Sequence, residues 1–308
     1  MATRRYGIPY QGSKNQIAEE LLSFLPSGKR FVDLFGGGGA MTDCAMDSYK
    51  WDSFLYNEIN PLVFKAFGMA LRGEFKGEKR WIDRATFIEL RETDPYVAIC
   101  FSFSNNMNNY CYAQELEPWK KALHYAMVFK DFSLLKEFGI ETDDVSKRNI
   151  RLHKEEWKQK YISWWKTKQS LQNLERMERL DRLQSLQNLE LTNDTYLNYE
   201  HKEGDVVYCD IPYEGTDCNA YKNADTKEHK AFDTKEFYDW CATRPYQVFF
   251  SSYEISDNRF HRIWEREKKV LNGNDNSLTK IECLYSNEPY LYSSLLGKQY
   301  EFDFLGGK

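Results

Sequence analysis

Residues 30–35, RFVDLF, form a short apolar run that ends abruptly in four glycines, Gly36 to Gly39. No other feature of the chain restricts its fold as strongly. The run reads as a strand, the glycines as a tight turn, and a helix is expected to follow. A second short run, residues 53–58 (SFLYNE), ends in an acid, Glu58, and a helix is expected near Pro61, since proline is tolerated in a first turn. Strand, glycine turn, helix, strand, acid is the opening of a parallel α/β sheet. Ligands of such sheets bind at the carboxyl edge of the strands. There glycine allows close approach, and an acid about twenty residues on can accept hydrogen bonds from ribose hydroxyls. Each feature alone has a plainer explanation, a flexible turn or a surface acid. Together they favour a ribose-bearing cofactor.

The rest of the chain shows where this pattern holds and where it breaks. Residues 15–25, NQIAEELLSFL, predict an amphipathic helix closed by Pro26. Residues 73–185 are rich in charge, aromatics and Asn, with no βαβ rhythm. Alternation resumes with a short strand LEL (189–191), a strand at 204–210 (GDVVYCD), a helix at 233–242 and a strand at 247–252 (QVFFSS). A helix is expected over 256–266, then a hairpin of roughly 266–271 and 280–286 around the turn-rich GNDNS. This predicts an α/β, Rossmann-like sheet domain made of 1–72 and 189–308, split by a mainly helical insertion, 73–188, long enough to fold on its own. The heptapeptide QSLQNLE occurs at 169–175 and again at 184–190. Its leucines extend a stripe with a step of three, Leu171, Leu174, Met177, Leu180, Leu183, Leu186, Leu189. Such a stripe would circle a helix slowly, which predicts a helix contacting several neighbours.

A hydrophobic fraction of 42% with 16% aromatics supports a buried core. The seven cysteines are scattered without a C-x-x-C pair, so neither a zinc site nor a disulfide framework is suggested. The opening residues lack the apolar stretch of a signal peptide, and no run approaches a membrane span. A reduced, cytoplasmic protein is expected. The net charge of −5 is awkward for a nucleic-acid partner, but between Lys147 and Arg182 eleven Lys/Arg face five Asp/Glu, a local balance of +6. A charge-rich helical stretch is about as often a solvated face as a nucleic-acid surface.

The segment that decides the chemistry is DVVYCDIPYEGT, residues 205–216. An apolar strand delivers Asp210 to the ligand edge. Pro212 then stiffens a turn and Tyr213 offers a flat face. An amino group on an aromatic ring is a poor nucleophile, because its lone pair is delocalised. Two acceptors on its hydrogens, a carboxylate and a backbone carbonyl, draw the nitrogen toward tetrahedral geometry while the tyrosine stacks on the ring. A turn with a buried tyrosine is the alternative.

Taken in order, these motifs resemble the Dam-like family (D12 class, alpha group) of S-adenosylmethionine (SAM)-dependent DNA adenine-N6 methyltransferases. YQGSK (10–14) resembles its W-x-G-G-K element, FVDLFGGGG (31–39) its F-x-G-x-G loop, and YNEINP (56–61) its ribose-binding acid and following Asn. CDIPY (209–213) resembles its D-P-P-Y motif, FFSSYE (249–254) sits where it has a short strand with S-N-H-like residues, and KIECLYSN (280–287) resembles its last strand. The stretch FSFSNNMNNYCY (101–112) is only loosely similar to the Asn- and aromatic-bearing segment near the target. Ile211 stands where the family has its first proline. That position contributes a backbone carbonyl, which isoleucine also supplies.

The resemblance implies transfer of a methyl group from SAM to adenine N6 in double-stranded DNA, leaving S-adenosylhomocysteine and using no metal. It implies that Asp210, Ile211, Pro212 and Tyr213 are catalytic. Lys14 would pair with the methionyl carboxylate, and Asp33, Phe35, Gly36 and Gly38 would hold the amino acid and sugar. Glu58, with Ile59, would take the ribose, and Asn193, Asp194 and Tyr196 would border the adenine of SAM, with Tyr10 also at the cofactor. The insertion becomes the DNA reader, with Lys147, Arg148, Arg151, Lys154, Lys158, Lys160, Lys166 and Lys168 on phosphates. Trp157, Tyr161, Trp164 and Trp165 among them have helical spacing that more often means core than stacking platform. A monomer is expected, with no membrane association. Three rivals remain: methylation of cytosine N4, methylation of a protein glutamine, and a SAM- or DNA-binding protein without catalysis. The motif order favours adenine, the basic insertion disfavours glutamine, and intact Asp210, Pro212 and Tyr213 disfavour a non-catalytic role.

Overall fold

The structure, a computed structural model, describes residues 6–141, 143, 171–185, 188–213, 232–271 and 277–288. By its contacts the chain divides into two compact units, one of Met1–Tyr6, Lys14–Phe64 and Leu186–Lys308, the other of Gly7–Ser13 and Lys65–Ser185.

The first unit is a seven-stranded sheet in the order β3-β2-β1-β4-β5-β7-β6. Its strands are β1 (Arg30–Asp33), β2 (Ser53–Asn57), β3 (Leu189–Thr192), β4 (Asp205–Asp210), β5 (Val248–Tyr253), β6 (His261–Leu271) and β7 (Ser277–Ser286). The five from β3 to β5 in that order run parallel, while β7 is antiparallel to both β5 and β6. Strands β1, β2 and β4 are short and apolar because they are covered on both faces, as central parallel strands must be. Helices α1 (Ala18–Ser23), α2 (Ala40–Asp47) and α3 (Pro61–Leu71) follow the same order along the chain. The helix Thr234–Ala242, capped by the Asp233 side chain on the Glu236 N–H, packs Phe237, Trp240 and Cys241 into a cluster with Val207, Cys209, Ile211 and Phe250. From β1 the chain steps outward to β2 and β3, then returns beside β1 as β4 and steps the other way to β5. The reversal lies between β1 and β4, and it is outside the carboxyl ends of strands at such a reversal that open α/β sheets bind their ligands.

Residues 256–266 are not a helix. Residues 261–271 are the edge strand β6, paired with β7 from His261–Ser286 to Leu271–Ser277 with one irregularity between Arg262 and Trp264. Its charged run, Glu265 to Lys268, has a helix-like composition. On a strand that no other pairs on its far side among the described residues, the same charges disfavour edge-to-edge association. The duplicated QSLQNLE also splits. Residues 171–178 are helical, and Arg179–Ser185 form a 3-10 helix, but Leu189 and Glu190 of the second copy belong to β3. Leu174, Met177 and Leu180 are buried. Among the described residues, 171–175 of the first copy are helical while Leu189 and Glu190 of the second are strand.

The second unit is built from short helices. Arg84–Leu90 and Pro95–Cys100 begin on the capping side chains of Asp83 and Asp94. Glu117–His124 and Ser133–Lys136 enclose a core of Trp119, Ala122, Leu123, Ala126, Leu135 and Ile140. Residues 102–110 close on a single bridge between Ser102 and Tyr110, with Ser104, Asn105 and Met107 in the left-handed region. The basic residues Lys147, Arg148, Arg151, Lys154, Lys158, Lys160, Lys166 and Lys168, and the aromatics Trp157, Tyr161, Trp164 and Trp165, lie outside the described residues. Among the described residues, no helix is long and apolar enough to cross a membrane.

Candidate active site

Strand β1 ends in Asp33 and passes through Leu34 and Phe35 into the glycine turn. Gly37 and Gly39 have positive φ, +49° and +71°, and Gly39 begins α2. Gly36 is required for another reason: a Cβ there would lie 2.2 Å from the ring of Tyr56, itself fully buried in β2. The Tyr56 hydroxyl donates to the Gly37 carbonyl at 2.7 Å, so β2 clamps the turn from below.

Glu58 does the same from above. One carboxylate oxygen accepts the Gly37 N–H and the other the Asn60 N–H, both at 2.7 Å. Burial pushes its pKa up to about 7, against the pull of those two N–H groups. Asn60 in turn accepts the Leu62 and Val63 N–H groups and so opens α3. Asn57, which the sequence did not single out, ties three strand ends together. Its amide donates to the carbonyls of Leu34 and Asp194, and its oxygen accepts from Thr192 and from the Asp194 N–H. Asn193 donates to the carbonyls of Glu58 and Ile59, and the Asp194 carboxylate accepts from the Thr195 N–H and from Asn198. Tyr196 packs edge-on to Phe237 and Trp240 and against Phe35 in the core.

Asp33 is 1% exposed. One oxygen accepts the Thr42 hydroxyl at 2.8 Å, and the other, Oδ1, has no partner among the described residues. Burial raises its pKa to about 7, and the nearby Asp210 and Glu58 add to the rise while Thr42 opposes it. A buried, half-satisfied carboxylate at a strand end is an acceptor waiting for a donor.

Asp210 ends β4, beside β1. Lys14 approaches both its oxygens, at 2.6 and 2.8 Å, and Ser251 on β5 donates to Oδ1 at 2.8 Å. The Tyr208 hydroxyl meets the same Ser251 oxygen at 2.9 Å. Burial pushes Asp210 above the ordinary carboxylate range, and the Lys14 ammonium pulls against it. Lys14, 5% exposed, stays charged, because Asp210, Tyr208 and Glu282 outweigh its burial. Ile211 turns its side chain into the core, 2% exposed, and Tyr213 reaches across to β7, where its hydroxyl donates to Glu282 at 2.9 Å.

So Lys14, Asp33, the glycine turn, Glu58 and Asp210 gather on the carboxyl side of one sheet, with Asp33 and Asp210 on adjacent strands. Tyr10 belongs by its contacts to the second unit. Sequence reasoning missed Thr42, Asn57, Tyr208, Ser251, Glu282 and Lys268. Only Glu282 left a signal, as an acid inside the otherwise apolar IECLY. A family model for D12 class N6 adenine-specific DNA methyltransferases matches residues 10–277, from the YQGSK element through the start of β7.

The chain belongs to the D12 class N6 adenine-specific DNA methyltransferase family. It is therefore an adenine-N6 DNA methyltransferase, its substrate is DNA, and the family's chemistry implies a SAM-type methyl donor. No curated protein matches it significantly. In this methyltransferase the acid of CDIPY is the carboxylate that Lys14 and Ser251 hold at the end of β4.

Proposed function

We propose that the enzyme transfers a methyl group from SAM to the N6 of an adenine turned out of double-stranded DNA. The observation that carries this reading is the pair Asp33 and Asp210 at the carboxyl ends of adjacent strands, one with a buried oxygen that has no partner among the described residues and the other braced by a lysine. The residues suit the cofactor. Asp33 Oδ1 can accept from the methionyl ammonium, the glycine turn offers a backbone surface free of Cβ atoms, and the remaining lone pairs of Glu58 can take ribose hydroxyls. In this reading Asn193, Asp194, Tyr196, Phe35 and Ile59 complete the cofactor side, with Tyr10 and Lys14 at the two ends of YQGSK. Lys14 sits on Asp210 here, so its proposed contact with the methionyl carboxylate would be shared with that acid. Bound SAM supplies an electrophilic methyl group on a sulfonium sulfur.

Adenine N6 is out of reach in a duplex, so the base must be extruded. Asp210 and the Ile211 carbonyl accept the two N6 hydrogens, Pro212 fixes the turn that presents them, and Tyr213 stacks on the base. Lys14 and Ser251 hold and orient the Asp210 carboxylate before the base arrives, the lysine favouring its ionised form against the effect of burial, so catalysis is mainly preorganised electrostatics and positioning. The insertion, with the basic residues between Lys147 and Lys168, holds the DNA backbone. Incubation of unmodified duplex DNA with tritium-labelled SAM, followed by nucleoside analysis, tests the reading. Label in N6-methyladenine is expected. Label in N4-methylcytosine, or in protein only, would overturn it.

A further inference from the structure

Tyr213 lies three residues beyond the end of β4, so no strand pairing orients it and side-chain contacts must. One of these is to a residue on another strand. Glu282, on β7 and 3% exposed, accepts the Tyr213 hydroxyl on Oε1 at 2.9 Å. The same oxygen stands 3.5 Å from the Lys14 ammonium, and Oε2 accepts from Lys268 of β6 at 3.0 Å. Lys14 also lies 4.8 Å from the centre of the Tyr213 ring, and Tyr253 meets that ring edge-on at 4.6 Å. Two cations around a buried carboxylate keep Glu282 ionised despite its burial. An ionised acceptor makes a stronger hydrogen bond to a phenol than a neutral one does.

We propose that Glu282 is a positioning residue for the target base: its carboxylate fixes the Tyr213 ring by the hydroxyl, and β6 fixes Glu282 through Lys268. This rests on the function proposed above, in which Tyr213 stacks on the extruded adenine. The antiparallel hairpin β6–β7 is then part of the active site and not only the end of the sheet. It sets the plane on which the base lands, while Asp210 handles the amino group. Glu282 touches no substrate in this scheme and acts on the base through Tyr213, while it also stands 3.5 Å from Lys14.

A double-mutant cycle tests it. Wild type, Glu282→Ala, Tyr213→Phe and the double variant are compared in single-turnover methylation, SAM binding and thermal unfolding, with Glu282→Gln alongside. Glu282→Ala is expected to slow methylation roughly tenfold, with SAM affinity within about twofold of wild type. In the Tyr213→Phe background the same substitution should cost less than about threefold, because the contact is already gone. Glu282→Gln retains an oxygen for the hydroxyl and should recover most of the rate. Equal penalties for Glu282→Ala in both backgrounds, or a Gln variant as slow as Ala, would overturn the proposal. Absence of methylation by the wild type would instead remove the functional reading. The unfolding cycle then decides alone: additive shifts in midpoint overturn the Glu282–Tyr213 coupling, and non-additive shifts uphold it.

Discussion

Replacing Asp210 with alanine removes three contacts at once, two from Lys14 at 2.6 and 2.8 Å and one from Ser251 at 2.8 Å. The consequences for chemistry and for stability can be separated. Loss of one preorganised group facing the reacting atoms in a desolvated site slows the step by about 10² to 10³, which is about 2.7–4 kcal/mol of barrier. For stability, removing one partner of a buried ion pair costs about 3–5 kcal/mol when the other charge is left alone. Lys14 is not left alone, since Glu282 remains 3.5 Å away, so about 2 kcal/mol is the reasonable size. In a chain of this length that lowers the unfolding midpoint by about 3 °C and leaves the protein folded at 25 °C. The rate loss therefore reports on the chemistry. The assay is single-turnover methylation of a duplex with tritium-labelled SAM, next to calorimetric SAM binding and a thermal melt. SAM affinity is expected to change little, because the proposed mechanism directs Asp210 at the base rather than at the cofactor. An Asp210→Ala enzyme with the wild-type single-turnover rate would refute the argument, whatever its affinity for SAM or DNA.

Gly36→Ala places a methyl group 2.2 Å from the Tyr56 ring, which is fully buried and cannot retreat, so the turn must distort. Overpacking of about 1–3 kcal/mol and at least about a tenfold loss of SAM affinity are expected from melts and calorimetry. Asp33 and Glu58 carry pKa values of about 7, raised from 3.8 and 4.5. The folded state therefore holds protons that the unfolded state has released. Their contribution to stability is present below about pH 4 and is lost as the pH rises through about 7. An ionised Asp33 is what an ammonium group needs, so SAM affinity should rise between about pH 6 and 8, and Asp33→Asn should weaken binding and flatten that rise. Charge reversal at Lys158 and Lys160 should weaken DNA binding and flatten its salt dependence, since fewer counterions are released, while SAM affinity without DNA stays nearly constant. A fall in SAM affinity would assign those lysines to the fold.

What the chain declares by itself is local backbone grammar. The passage from RFVDLF through four glycines into the residues beyond dictates strand, turn and helix, because glycine takes the positive φ of Gly37 and Gly39 without the strain other residues incur, and leaves the space that Tyr56 fills at Gly36. The placement of Glu58 and Asp210 at strand ends follows from the same grammar, and with it the family. Partners distant in sequence are a different matter. Lys14 meets Asp210 across 196 residues, and Tyr213 meets Glu282 across 69. Which carboxylate a buried lysine finds depends on strand order, and strand order is decided by the whole sheet. Glu58 was legible as an acid at the right edge, but its work as the clamp on Gly37 was not. The segment HRIWEREKKVL has the composition of a surface helix, yet becomes a strand because β7 offers it a ladder of hydrogen bonds. The two copies of QSLQNLE make the same point within one chain. The Leu-Glu that ends the first copy, Leu174 and Glu175, is helical with Leu174 buried, whereas the same pair in the second copy, Leu189 and Glu190, extends into β3 along β2. Propensities separate such alternatives by a few tenths of a kcal/mol per residue, and a packing surface or an open strand edge outweighs them.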